Sequence, residues 1–186
     1  FGDRGADGYF ESSSGSAGTN AAIKTSQVLD LTAQLQGDGT LRWTPPAGQW
    51  IVLRIGYSLT GSQNRPASPE ATGLEVDKLD TAAVKRYIDT YISMNRDASK
   101  GLIGKRGLHA MMFDSWESGF ANWSPVLLDG FKKLRGYDAT PWLPALAGYV
   151  VESTDKSNKF LWDWRRTIQQ LLKENHYEFL TRYLHN

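Results

Sequence analysis

The feature that most constrains the fold is the apolar run Leu108-His109-Ala110-Met111-Met112-Phe113, interrupted only by His109 and bounded by Gly107 and Asp114. A run of this length without polar alternation reads as a strand buried on both faces, the signature of a parallel strand in an α/β sheet. Its C-terminal end delivers Asp114-Ser115-Trp116-Glu117. In parallel α/β folds that end is where ligands bind and catalytic side chains collect.

The flanking segments place this strand in a longer order. Val28 to Leu35 leads through Gly37-Asp38-Gly39 into Leu41-Arg42-Trp43, a hairpin signature. From Trp50 to Tyr57, Ile51, Leu53, Ile55 and Tyr57 alternate with Trp50, Val52, Arg54 and Gly56, which predicts a strand with one apolar face. These runs predict a small antiparallel, sandwich-like β unit. Asp80-Thr81 offers a cap ahead of Val84, Tyr87, Ile88, Tyr91 and Ile92 at helical spacing, predicting a helix over 81–94. Ser124-Pro125 starts a short helix that Gly136 stops, and Thr140-Pro141 repeats the start signal. A long last helix carries Leu161, Trp164, Ile168, Leu171, Leu172, Phe179 and Tyr183 on one stripe, with Asn175 on the same side.

The expected fold class is therefore α/β with an antiparallel β N-terminal part, running into an incomplete (β/α)8 barrel. Residues 1–72 form the β-rich module and connecting loop, and 73–186 the opening of a barrel-like catalytic domain. A complete barrel needs about 250 residues, so this one is expected to be truncated. Both ends of the chain read as cut: it starts Phe1-Gly2-Asp3 and stops inside the last helical pattern.

Composition excludes several functions. With 21 Lys and Arg against 20 Asp and Glu, the charge lacks the footprint of a nucleic-acid binder. No apolar run approaches the roughly 18 residues a membrane span needs. The absence of cysteine leaves only oxygen or imidazole ligands for any metal. Seven Trp, eight Tyr and seven Phe supply flat faces that suit sugar rings and ordinary cores alike.

Two acids with an aromatic between them suit glycosidic cleavage, in which one carboxyl protonates the leaving oxygen and another activates water or attacks directly. Trp116 supplies an apolar wall able to raise the pKa of a neighbouring carboxyl, which makes Glu117 the candidate general acid. The same residues also fit a plainer role, with Asp114 capping the next turn and Glu117 solvated. Trp116 and Trp123 form either a sugar platform or part of a core. Glu75 and Asp77 either face a pocket or satisfy the charge preference of a helix start. Asn175 and His176 interrupt an apolar stripe, as a hydrogen-bonded core pair or as site residues. His109 reads as a core histidine, and Lys105-Arg106 as a solvated pair.

A series of short stretches favours the catalytic reading. Trp43-Thr44-Pro45-Pro46-Ala47-Gly48-Gln49-Trp50, Arg54-Ile55-Gly56-Tyr57, Thr60-Gly61, Gly73-Leu74-Glu75-Val76-Asp77-Lys78-Leu79, and Asp114-Ser115-Trp116-Glu117 with Asn122-Trp123 come first. Arg135-Gly136-Tyr137-Asp138, Pro141-Trp142-Leu143-Pro144 and Glu174-Asn175-His176-Tyr177 follow in order. Over roughly residues 28–180 the chain resembles glycoside hydrolase family 106, the α-L-rhamnosidases and their relatives. The resemblance implies a barrel catalytic domain with β-sandwich additions, an inverting mechanism on rhamnose-containing polysaccharides, and a calcium ion near the sugar.

By that likeness Glu117 matches the proton donor and Asp114 an acidic residue at the metal and substrate site. Trp116, Asn122, Trp123, Glu75, Asn175 and His176 are its accompanying substrate-binding candidates. The general base and the remaining calcium ligands are expected beyond Asn186, in the missing remainder of the catalytic domain. The fragment alone is expected to be inactive, and the parent periplasmic or secreted. Three alternatives remain: a retaining barrel glycosidase of other sugar specificity, a non-catalytic carbohydrate-binding module, and a purely structural fragment.

Overall fold

A computed structural model of the chain describes residues 22–113 and 121–185. Four α-helices organise it: α1 (Thr81–Ala98), α2 (Leu127–Arg135), α3 (Thr154–Leu172) and α4 (Phe179–His185). Lys173–Glu178 forms a π turn between α3 and α4, so helical backbone runs without a break from Thr154 to His185. The described residues fall into two compact units, one of 22–57 with 128–167 and the other of 58–113, 121–127 and 168–185.

The first unit is built on rings. Phe131 of α2 meets Tyr137, Phe160 and Trp164 at centroid distances of 5.0, 5.7 and 5.9 Å, and Trp142 stacks on Phe160 at 6.0 Å. Phe131, Phe160 and Trp164 are fully buried, and burial of such rings is the largest apolar contribution a side chain makes. The polar edges of this core are paired: the Tyr137 hydroxyl donates to Asp163 Oδ2 at 3.0 Å, and Arg135 Nε donates to Thr167 Oγ1 at 3.0 Å. Burial first, and the Asp163 carboxylate second, push the Tyr137 phenol well above its ordinary pKa. Gly136, at φ +80°, closes α2 in the left-handed conformation that its position required.

A short N-terminal stretch of this unit is laced to residues 150–152. Ile23 pairs in a single parallel bridge with Val151, and Thr25 donates its backbone N–H and its hydroxyl to Glu152 Oε1 at 2.7 and 2.9 Å. Those two bonds hold the Glu152 carboxyl below its ordinary pKa. Ser157, fully buried, takes the Val151 N–H on its oxygen at 2.9 Å and donates to the Val151 carbonyl at 3.0 Å.

In the second unit α1 packs Val84 and Ile88 against Leu180 of α4, with Ile92, Met111, Phe179 and Tyr183 around them. The spacing of four between 84, 88 and 92 puts these residues on one helix face. Asp80 caps α1 by accepting from the Ala82 N–H at 2.9 Å, as the sequence predicts, and the helix continues to Ala98, past the expected end at 94. The Tyr183 hydroxyl donates to Asp89 at 2.7 Å, beside the Lys85–Asp89 ion pair.

The expected β architecture is not found. Among the described residues there is no sheet; strand pairing is limited to the single bridges Ile23–Val151, Leu35–Leu41 and Gln63–Leu74. The antiparallel, sandwich-like N-terminal part is therefore overturned, and the barrel opening has no strands to represent it. The turn at Gly37-Asp38-Gly39 does form, with Gly39 at φ +85° and the Leu35–Leu41 bridge across it. Its arms do not extend, because local bonds compete with a ladder. Asp30 accepts from both the Thr32 N–H and hydroxyl, and 3-10 turns occupy Thr25–Gln27 and Thr32–Gln34.

Residues 50–57 are exposed throughout, with Ile51 at 70% and Tyr57 at 67% of full exposure. Alternation records a tendency to extend; it does not supply the neighbour whose N–H and C=O groups make a strand. The run Leu108–Phe113 fails for the same reason. A parallel strand is buried only when strands and helices flank it, and here Met112 is 90% exposed and His109, read as a core residue, is exposed.

Candidate functional site

The segment Asp114-Ser115-Trp116-Glu117, on which the catalytic reading rests, lies outside the described residues. Of the other candidates, Asn122 is exposed and Trp123 half-buried, whereas Glu75, Asn175 and His176 come together in the second unit.

Two devices build this cluster. The first is the loop ahead of α1. Asp77 accepts from the Leu79 N–H at 2.9 Å through one oxygen and from the Ser124 hydroxyl at 2.7 Å through the other. Ser124 is buried and its carbonyl accepts from the Leu127 N–H at the start of α2, so Asp77 joins two helix starts. Its carboxylate is thereby used in the fold. Glu75, two residues earlier, pairs with Lys78 at 2.8 Å, with both side chains largely covered.

The second device is the π turn Lys173–Glu178. A π turn accommodates one residue more than the α-helix does, and such turns concentrate at functional sites. Here it offers two consecutive polar side chains to the same neighbourhood. Asn175 Nδ2 donates to the Leu79 carbonyl at 2.7 Å, and His176 is buried at 8% exposure. The His176 ring meets Phe113 edge-on at 6.3 Å and Tyr177 at 4.9 Å. Its Nδ1 is buried with no hydrogen-bond partner among the described residues.

Burial dominates the His176 electrostatics. Desolvation first, and the Lys78 ammonium second, lower its pKa to about 4 against the opposing pull of Glu75. The imidazole is thus neutral at physiological pH, with one nitrogen able to accept and one able to donate. The arrangement places a neutral imidazole beside Phe113, the residue joined covalently to Asp114, with the Glu75–Lys78 ion pair within electrostatic reach of that imidazole.

The sequence reading named Glu75, Asn175 and His176 and missed Lys78 and Phe113. The spacing of three between Glu75 and Lys78 was a usable signal for the ion pair. The contact between Phe113 and His176 joins residues 63 positions apart, which no local pattern reveals.

Calcium requires about six to eight oxygen ligands. Among the described residues no three His, Asp or Glu side chains are grouped so as to hold a metal ion. Asp114, the one ligand that the family resemblance assigns, lies outside the described residues.

Comparison with known proteins gives this geometry a context. Residues 5–186 match the sequence profile of glycoside hydrolase family 106, alpha-L-rhamnosidase. The chain superposes with a TM-score of 0.83 on the structure of a rhamnosidase from Novosphingobium sp. PP1Y, at 51% identity, covering 88% of this chain and 16% of that one. It is also 41% identical over 159 residues to a putative beta-glucuronidase of Formosa agariphila, covering 86% of this chain and 14% of the relative. The similar proteins are thus carbohydrate-cleaving enzymes by name, and the chain spans about a sixth of their length. It belongs to glycoside hydrolase family 106.

Proposed function

We propose that the parent protein hydrolyses α-L-rhamnosides in rhamnose-containing polysaccharides with inversion at the anomeric carbon. The observation that supports this reading above others is the family match over 5–186 together with a rhamnosidase structural neighbour at 51% identity.

In the proposed reaction Glu117, protonated, donates its proton to the glycosidic oxygen as the bond from that oxygen to the anomeric carbon breaks. A carboxylate base elsewhere in the parent removes a proton from a water that attacks the opposite face of the sugar. The products are the free sugar of inverted configuration and the protonated leaving group, with Glu117 left as carboxylate. Asp114 is assigned to a sugar hydroxyl or to calcium, and no step is routed through the ion. Trp116, Asn122 and Trp123 are assigned to the sugar, and the parent to the periplasm or the outside of the cell.

The test is turnover by the full-length parent carrying Glu117→Gln. On an alkyl α-L-rhamnoside, whose poor leaving group needs a proton, kcat falls by about a hundredfold or more, whereas an activated aryl rhamnoside loses far less. Equal turnover of the alkyl substrate by variant and wild type would sink the assignment. The name of the Formosa agariphila relative supports a second reading, in which the sugar is a glucuronide. An aryl β-D-glucuronide assayed beside the rhamnoside separates the two, and the anomer first released distinguishes inversion from retention.

A further inference from the structure

We propose that the exposed face of α3 around Trp162 is a binding surface for a polysaccharide that carries carboxylate groups. The choice of a polysaccharide as occupant rests on the substrate class proposed above.

The helix period divides α3 into two faces. Phe160, Leu161, Trp164 and Thr167 are fully buried, whereas Trp162 keeps 58% of its surface exposed. The surface neighbours of a helical residue stand three and four positions away, so those of Trp162 are Asn158, Lys159, Arg165 and Arg166, all exposed. One is an amide, three are cations and none is an acid. The two acids of α3 stand elsewhere. Asp163 projects about 100° round the helix from Trp162 and accepts from the Tyr137 hydroxyl at 3.0 Å. Asp155 lies in the first turn, about two turns before Trp162.

A single exposed tryptophan is an ordinary surface feature. Here the flat indole is set among hydrogen-bond donors and positive charge, and that pairing selects the ligand. A sugar ring lays its C–H face on an aromatic face and keeps its hydroxyls at the edge, within reach of an amide such as that of Asn158. Guanidinium forks match planar carboxylates, and an ammonium adds a point charge. A chain of acidic sugars therefore complements the indole and the cations together. From Asn158 to Arg166 the helix rises about 12 Å, more than one sugar ring occupies. Nucleic acid would also meet these cations. The balance of 21 Lys and Arg against 20 Asp and Glu, however, gives no wider basic field to hold a phosphate backbone.

The experiment uses the full-length parent, wild type and with Trp162→Ala or the pair Arg165→Gln and Arg166→Gln. Each is run by affinity electrophoresis through gels holding polygalacturonate, its methyl ester, poly-L-glutamate or single-stranded DNA. Polygalacturonate is expected to retard the wild type more than the uncharged ester does. Trp162→Ala leaves the charge unchanged and is expected to weaken binding to polygalacturonate about fivefold or more, as loss of ring stacking implies. It should melt with the wild type, as surface substitutions do. The glutamine pair is expected to lose the preference for the acid over the ester. A wild type that polygalacturonate does not retard overturns the inference, as does a Trp162→Ala variant retarded as strongly as wild type. An equal or larger effect of Trp162→Ala in poly-L-glutamate or DNA also overturns it, because the occupant would then be an acidic protein or a nucleic acid. A Trp162→Ala variant that melts well below wild type overturns it too, since the ring would then be packed within the parent or against a second copy. Absence of rhamnoside turnover by the wild type counts against the proposed reaction alone, because this binding is read without turnover.

Discussion

The side-chain amide of Asn175 donates to the backbone carbonyl of Leu79 at 2.7 Å across 96 positions of sequence, tying the π turn to the residue that precedes the cap of α1. Removing one partner of a largely covered hydrogen bond costs about 1–3 kcal/mol. Asn175→Ala is expected to lower the thermal midpoint accordingly. Asn175→Asp is expected to lower it further at neutral pH, because a carboxylate would face a carbonyl oxygen. Thermal unfolding of the two variants side by side checks the order.

His176 makes the second unit acid-sensitive. Its pKa is about 4 in the folded protein against 6.5 for the unperturbed group. Between those values the unfolded chain binds the proton and the folded chain does not. The stabilisation is thus complete above pH 6.5 and is lost as pH falls towards 4, amounting to on the order of 3 kcal/mol at the acidic end. His176→Phe removes this contribution. The gap in melting temperature between variant and wild type should widen in favour of the variant from pH 7 to pH 4; a constant gap would refute the assignment.

In the first unit Ser157 satisfies both backbone groups of Val151 from a fully buried position. Ser157→Ala leaves a buried N–H and a carbonyl without that partner, for an expected loss of about 1–3 kcal/mol. Ser157→Thr keeps the hydroxyl and adds a methyl at a fully buried position, so it is expected to destabilise by overpacking instead. Denaturant midpoints for the pair measure both effects.

Capping at α1 gives a milder and more local prediction. Asp80→Ala, which removes the acceptor of the Ala82 N–H, is expected to cost about 1 kcal/mol, and Asp80→Asn much less. Faster amide exchange confined to the first turn of α1 would accompany the loss.

What the sequence revealed divides along the range of the interactions. Helix starts and stops depend on neighbours a few residues away, so Asp80, Ser124, Gly136 and the stripe through Trp164 were all legible. Strands depend on partners far along the chain. The alternation at 50–57 and the apolar run at 108–113 therefore gave a conformational tendency without a sheet. The π turn was illegible for a different reason: Asn175 falls on the apolar stripe under ordinary α-helical counting, and nothing local marks the extra residue. The site shows the same division. Glu75, Asn175 and His176 were found as polar residues in unusual company, but the bond from Asn175 to Leu79 and the contact of His176 with Phe113 are tertiary facts.

The exposed stretch from Trp50 to Tyr57 has a consequence for how a chain like this behaves in concentrated solution. Its residues are strand-forming and apolar, contain no proline, and include a single charge, Arg54. Segments of that kind template pairing with copies of themselves. Arg54 is then a gatekeeper against self-association, and its guanidinium lies 3.6 Å from where a side chain at Gly39 would begin. Solubility, a property remote from sugar chemistry, would in this stretch hang on one arginine.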